Sequence, residues 1–262
     1  MLVVVAAVST LEFAYTPPRS SYGTAILGSR PAGYWDLDEL HGPQVHNAIG
    51  GKSAGRFRGP IGFGTSGATG LGQNTAVQLD GQGGSITLGT PVSSAEPISL
   101  AFWLRPDSGA VLGALNAAWQ PPPESSTALW PWLVASQTTN AMTWTMTFEV
   151  PDRLSVDYET PSGTSALRTS ARVEHGRFGF VVMTLGQEGP RLWVNGRPAA
   201  VRSRRIPRFP LARPSPLTFG GAPGIGLKSF GGTFDDIAAF PRKLSADEIR
   251  RLWRAGKSEA PE

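Results

Sequence analysis

Cysteine is absent from the 262 residues. Disulfides and thiolate metal centres are therefore excluded, while a chain of this length needs no covalent staples to build a core. Histidine is scarce. His41, His46 and His175 are the whole supply, and the first two lie in a Gly-rich stretch without the close pairing on a helix or strand that a zinc site requires. No apolar run is long enough to span a membrane. The opening Met1-Leu-Val-Val-Val lacks the basic start of a signal segment, and its β-branched residues suit an extended arm better. Charge of one sign is also modest. A formal excess of +4, without a nucleic-acid-binding motif, argues against a nucleic-acid partner. Finally, no Gly-x-Ser-x-Gly segment appears, nor any phosphate-cradling loop between a strand and a helix.

What the chain does have is turns and alternation. Its 32 Gly and 23 Pro punctuate a sequence that is 40% hydrophobic, which favours many short strands over long helices. Ile98, Leu100, Phe102 and Leu104 share one face of a strand. Met142 to Val150 alternates large apolar residues with Thr and Glu149, and Leu154, Val156 and Tyr158 alternate with Asp157 and Glu159. Phe178 to Leu185 is apolar on both faces and predicts a central buried strand. Arg191 to Val201 predicts a hairpin, with Asn195-Gly196 supplying the two positive-φ positions of a type I′ turn. A single helix is expected, over residues 245–255. Ser245 and Glu248 form a capping box, Leu244 and Ile249 a staple, and Ile249, Leu252 and Trp253 a buried stripe; Gly256 is placed to close the helix. These elements predict an all-β, two-sheet antiparallel sandwich or jelly roll with the helix outside.

Four segments carry a family likeness: Pro31-Ala-Gly-Tyr-Trp-Asp-Leu-Asp-Glu39; Ala76-Val-Gln-Leu-Asp-Gly81 with Ser99 to Pro106; Arg191 to Arg197; and Phe234-Asp-Asp-Ile through Ile249. In order and spacing the chain resembles laminin-G-like jelly-roll domains of the concanavalin-like superfamily. The resemblance implies a sandwich over 31–256; residues 1–30 ahead of it read as an extended arm broken at Pro17-Pro18, and residues 257–262 as a short tail. Tyr22 to Trp35 is further similar to such domains in bacterial surface proteins and in phage minor tail or virion proteins. Because this fold hosts lectins, glucanases, adhesins and assembly proteins, function has to come from a site.

For catalysis, glycosidases need paired carboxylates on an open strand face. Here only Asp36 with Asp38 and Asp157 with Glu159 have the i, i+2 spacing, without a third acid, and both pairs read as solvated faces. For metal, the resemblance implies a structural Ca²⁺ at Asp236, the other reading being a carboxylate held by turn amides. Alternation places Phe234, Asp236, Ala238 and Phe240 on one face. For binding, Leu115 to Trp132 looks like an inserted, Pro-stiffened loop. Trp119 and Trp130 are its candidate contact residues, with Trp132 read as the start of a core strand. The run from Arg202 to Arg213 includes Arg202, Arg204, Arg205 and Arg208. It reads as a solvated loop, or as a surface for an acidic subunit, an anionic glycan or packaged nucleic acid.

The apolar arm of residues 1–15 predicts strand addition to a partner subunit or to this domain's own edge. The expectation is a non-catalytic structural or interaction protein. It would be a phage capsid-decoration or tail subunit, or a surface-assembly subunit, docking protein partners through residues 1–15 and 202–213 at a virion or cell surface. The alternative is a lectin-like module for surface glycans, and a third reading is an endo-glycosidase.

Overall fold

The computed structural model describes residues 20–50, 55–69, 74–89, 97–107, 132–137, 142–149, 152–160, 163–186, 189–199, 201–202, 216–221 and 230–258. The first elements are α1 (Ser21–Gly28), β1 (Gly33–Trp35), β2 (Gln44–Val45), β3 (Gly55–Arg58), β4 (Ile61–Ser66), β5 (Thr75–Asp80), β6 (Ser85–Leu88) and β7 (Ile98–Pro106). Then follow β8 (Trp132–Gln137), β9 (Met142–Glu149), β10 (Arg153–Thr160), β11 (Gly163–Arg172), β12 (Gly179–Gly186), β13 (Gly189–Val194) and β14 (Arg197–Pro198). Last come β15 (Val201–Arg202), β16 (Leu217–Phe219), β17 (Gly231–Phe240) and α2 (Ala246–Lys257).

Two antiparallel sheets face each other. One runs β14-β13-β12-β7-β17-β5-β4, with β1 also paired to β17; the other runs β15-β11-β10-β9-β8-β16-β6-β3-β2. Alternation along β7 and β12 builds two cores from the same strands. Leu100, Phe102, Leu104, Val181 and Met183 face the second sheet and meet Trp144, Met146, Leu154, Val156 and Phe219. Ala101, Trp103, Phe180 and Val182 face outward and are covered by Tyr22, Ile26, Ile249 and Leu252 from the two helices. That is why Phe178 to Leu185 is apolar on both faces: β12 lies between β7 and β13 and is buried along its whole length.

The hairpin turns where expected, with Asn195 at φ +50° and Gly196 at φ +72°. The capping box of α2 is present, and Glu248 also takes a two-pronged hydrogen bond from Arg242, at 2.7 and 3.0 Å. Two expectations need correction. First, residues 1–30 are not extended throughout. Ser20 caps α1, and burial of Tyr22 and Ile26 makes that helix part of the domain ahead of Pro31. The rest of the arm, residues 1–19, lies outside the described residues. Second, Gly256 does not end α2, which continues through Lys257. Its reason is space: a Cβ there would lie 2.3 Å from the Trp103 ring and 3.0 Å from Tyr22.

Candidate functional site

Strand β17 carries a defect at its centre. On one edge β17 pairs with β7 throughout; on the other it is shared between β5 and β1. The register against β7 slips between Asp235 and Ala238, so one extra residue bulges out. Asp236 takes φ +52° there, a conformation that only Gly, Asn and Asp adopt with ease. The bulge overturns the simple alternation. Phe234, Ile237 and Ala239 face the inter-sheet core, while Ala238 and Phe240 lie under the helices.

Both carboxyls are buried, Asp235 at 0% and Asp236 at 2% exposure. Tyr34 Oη donates to Asp236 Oδ1, and Thr69 Oγ1 donates to Oδ2 at 2.5 Å. Asp235 Oδ2 accepts the Ala68 N–H at 2.6 Å and the Asn74 amide at 3.0 Å, whereas its Oδ1 has no hydrogen-bond partner. Desolvation raises Asp236 to about 7 against the pull of the Thr69 and Tyr34 hydroxyls. Burial, then the neighbouring Asp236 charge, pushes Asp235 well up. Asp36 rises to about 6, first by burial and then by the charges of Asp38 and Glu39. Asp38 is engaged by Thr75, whose N–H and hydroxyl donate to it at 2.7 and 3.1 Å. The cluster is a polar joint that fastens β17 to β1 and to Ala68, Thr69 and Asn74.

The Ca²⁺ expected at Asp236 finds a poor donor set here. Ca²⁺ takes six to eight oxygens, but both Asp236 oxygens already accept hydroxyl protons. Among the described residues no group of three or more His, Asp or Glu side chains is arranged to hold an ion. Adding Ca²⁺ or a chelator should therefore move the melting temperature by less than a degree. A Ca²⁺-dependent rise of several degrees that Asp236→Ala abolishes would restore the ion.

A second feature is open to solvent. A cleft of about 410 Å³ lies between the end of β11, the β13–β14 hairpin and the last turns of α2. It is lined by Ser170, Arg172, Asn195, Arg197, Trp253 and Lys257 among others, and among the described residues no Asp or Glu lines it. The tight turn makes it: Gly196 sits against Trp253, where a Cβ would come within 2.9 Å of the indole. Lys257 lies over the same ring, its ammonium 5.3 Å from the centroid. Asn195 Oδ1 accepts the Phe180 N–H at 2.9 Å, leaving its NH₂ to donate elsewhere. Arg172 holds Asp152 at 3.2 Å with more than half of its side chain exposed.

Of the residues singled out from sequence, Trp119, Trp130, Arg204, Arg205 and Arg208 lie outside the described residues. Arg202 is on β15, where the backbone register sets it opposite Arg168 on β11. Asp157 and Glu159 occupy β10 in register with Ala166 and Thr164. The histidines are dispersed: His46 approaches Glu39 at 3.3 Å, and His175 meets the Asp107 carbonyl at 3.2 Å. Trp253, read as part of the buried stripe, is only half-buried and walls the cleft instead. Arg172, Arg197 and Lys257 carried no sequence signal, because only folding brings them together. Nor did Tyr34, Thr69 and Asn74.

Comparison with known proteins agrees with this architecture. The family described as the concanavalin A-like lectin/glucanases superfamily, in its laminin-G form, matches residues 80–250. No curated protein matches the sequence. Among solved structures, domain 4 of AbnA, a GH43 extracellular arabinanase from Geobacillus stearothermophilus in complex with arabinotriose, is similar with a TM-score of 0.58 at 13% identity, over 85% of this chain and 97% of that one. The receptor-binding domain of botulinum neurotoxin mosaic serotype C/D is similar with a TM-score of 0.59 at 13% identity, over 86% of this chain and 51% of the other. Trypanosoma rangeli sialidase in complex with sialic acid gives 0.58 at 15% identity, over 88% of this chain and 33% of the enzyme. The chain thus spans about half of the toxin domain and a third of the sialidase. At these identities the likeness is one of fold. The fold, the order of its elements and the family match agree: the chain belongs to the laminin-G-like branch of the concanavalin A-like lectin/glucanase superfamily.

Proposed function

We propose that this chain is a non-catalytic, glycan-binding domain acting at an extracellular or virion surface. The observation that carries the reading is the cleft between the β13–β14 hairpin and α2. Its volume of about 410 Å³ falls within the range of small-molecule sites, about 300–1,000 Å³. Its wall joins an indole edge and the apolar Val194, Pro198 and Ala199 to the donors of Asn195 and Arg197. A sugar presents the same mixture, with C–H faces beside hydroxyls. The similar solved structures named above include complexes of the arabinanase domain with arabinotriose and of the whole sialidase with sialic acid, which supports the reading without assigning a ligand.

A glycosidase reading has less support. Its two carboxyls must flank an open site at roughly 5–9.5 Å. Asp235 and Asp236 are buried, and Asp38 is engaged by Thr75. Attachment to a larger assembly through residues 1–15 and 202–213 belongs to the same proposal, since an adhesive domain needs both a holder and a ligand.

The test is a panel of defined oligosaccharides titrated against the full chain, with product release followed in parallel. Binding without turnover is expected. Product formation that Asp157→Asn or Glu159→Gln abolishes would return the chain to the glycosidases.

A further inference from the structure

We infer that the cleft between the β13–β14 hairpin and α2 takes an acidic saccharide, one whose carboxylate or sulfate lies among Arg172, Arg197 and Lys257. The inference rests on the glycan-binding reading and adds the charge of the ligand.

Three strands of observation carry it. The first is charge. Among the described residues three cationic side chains line the cleft and no carboxylate does. Among the described residues the opposing charge is Asp152, which engages one Nη of Arg172 at 3.2 Å and is not itself part of the lining. A guanidinium has five N–H donors, so Arg172 keeps others for a ligand. The C-terminal end of α2 is also near and carries about half an elementary charge of negative sign. It is outweighed by three full positive charges, and Ser258 N–H already caps the Arg254 and Gly256 carbonyls.

The second is position. Lys257 is held by the Trp253 ring, and that ring is backed by Gly196, so the ammonium is placed rather than left free to sweep. Arg197 leaves the same tight turn one residue after Gly196 and pairs through its backbone with Val194. Cations fixed on a rigid hairpin and a capped helix lose little entropy when they bind an anion.

The third is shape and polarity. Beside the cations stand the Asn195 amide and the apolar Val194, Pro198 and Ala199. A short hydroxyl-rich ring bearing one acid group satisfies all of these.

The experiment is calorimetric titration of the full chain with a glucuronate-containing disaccharide, its sulfated form and its glucose counterpart. A hexaglutamate peptide serves as a fourth probe. At least one acidic saccharide should bind tenfold or more tighter than the glucose counterpart. That advantage should fall as NaCl is raised from 50 to about 500 mM, because exposed charges are screened. The double variant Arg197→Gln, Lys257→Gln should bind acidic and neutral saccharides alike and keep the wild-type melting temperature; both residues are exposed, so folding should not suffer. Equal affinity for acidic and neutral saccharides would sink the charge inference and leave the glycan reading standing. Tighter binding of hexaglutamate than of any saccharide would make the occupant a polypeptide. An acidic advantage that survives in the double variant would place the site elsewhere. No saccharide binding at all would overturn the glycan reading itself.

Discussion

Raising the pH from about 4 to about 8 should lower the melting temperature of this domain by on the order of 10 °C, with most of the fall between about 4 and 7. The cause is the joint in β17. Asp236 is raised to about 7 and Asp235 well above its ordinary value, both chiefly by burial, and Asp36 rises to about 6. In the unfolded chain these groups titrate near 4. Between the two values the native state holds protons that the unfolded state has released. Stability is therefore full below about pH 4 and declines as pH climbs through the native values. Each pH unit of displacement is worth about 1.4 kcal/mol, so two or three such groups amount to a few kcal/mol.

The opposite pull is smaller. Glu248 is lowered to about 2, first by its hydrogen bond to Arg242, and it adds stability only above that range. Its side chain keeps 19% exposure, and its titration is complete at the acid end of this interval, so its contribution above about pH 5 is constant. Asp236→Asn tests the assignment directly. Asn tolerates the positive φ of this position and can still serve Tyr34 and Thr69, but it does not ionise. The variant should keep the wild-type melting temperature at pH 4 and lose at least half of the fall by pH 8. A wild-type melting temperature that rises steadily over this interval would show that the joint does not govern the pH response.

Gly256→Ala should lower the melting temperature by roughly 5–10 °C, although alanine is the better helix former by up to about 1 kcal/mol. The added methyl would lie 2.3 Å from one Trp103 ring carbon, and 3.0 Å from a second and from the Tyr22 ring. Both rings are buried. Tyr22 also packs edge-on against Trp103 and Phe180, with centroids 5.9 Å away in each case, so neither can turn aside alone. Relieving the overlap means lifting α2 from the sheet or prising α1 away from it, and overpacking of this kind costs about 1–3 kcal/mol or more. Gly28→Ala is the control. Nothing lies within 4 Å of a Cβ at Gly28, and that variant should match or exceed the wild type. Thermal melts of the two variants together decide it. Equal behaviour would mean that the closeness of α2 to Trp103 is not a feature of the folded protein.

Period and turn chemistry made much of this molecule legible before any coordinates. Alternation in β7, β9 and β10, the doubly apolar β12, the Asn195-Gly196 turn and the capping box at Ser245 are local statements, each fixed by residues close together in the chain. Where local preference and tertiary packing agree, the sequence is sufficient. It was enough to determine an antiparallel sandwich with a helix at its end. What lay beyond it depends on residues distant in sequence. Helix α1 has few helical signals of its own and is stabilised by placing Tyr22 and Ile26 against the sheet and α2. The bulge at Asp235–Asp236 arises because β17 must serve both β5 and β1, a conflict invisible in the alternation of Phe234 to Phe240. The cleft gathers Arg172, Arg197, Trp253 and Lys257 from two strands and a helix. No spacing rule links them, so only the tertiary structure, by closing the hairpin onto the last turns of α2, decided that they share one site.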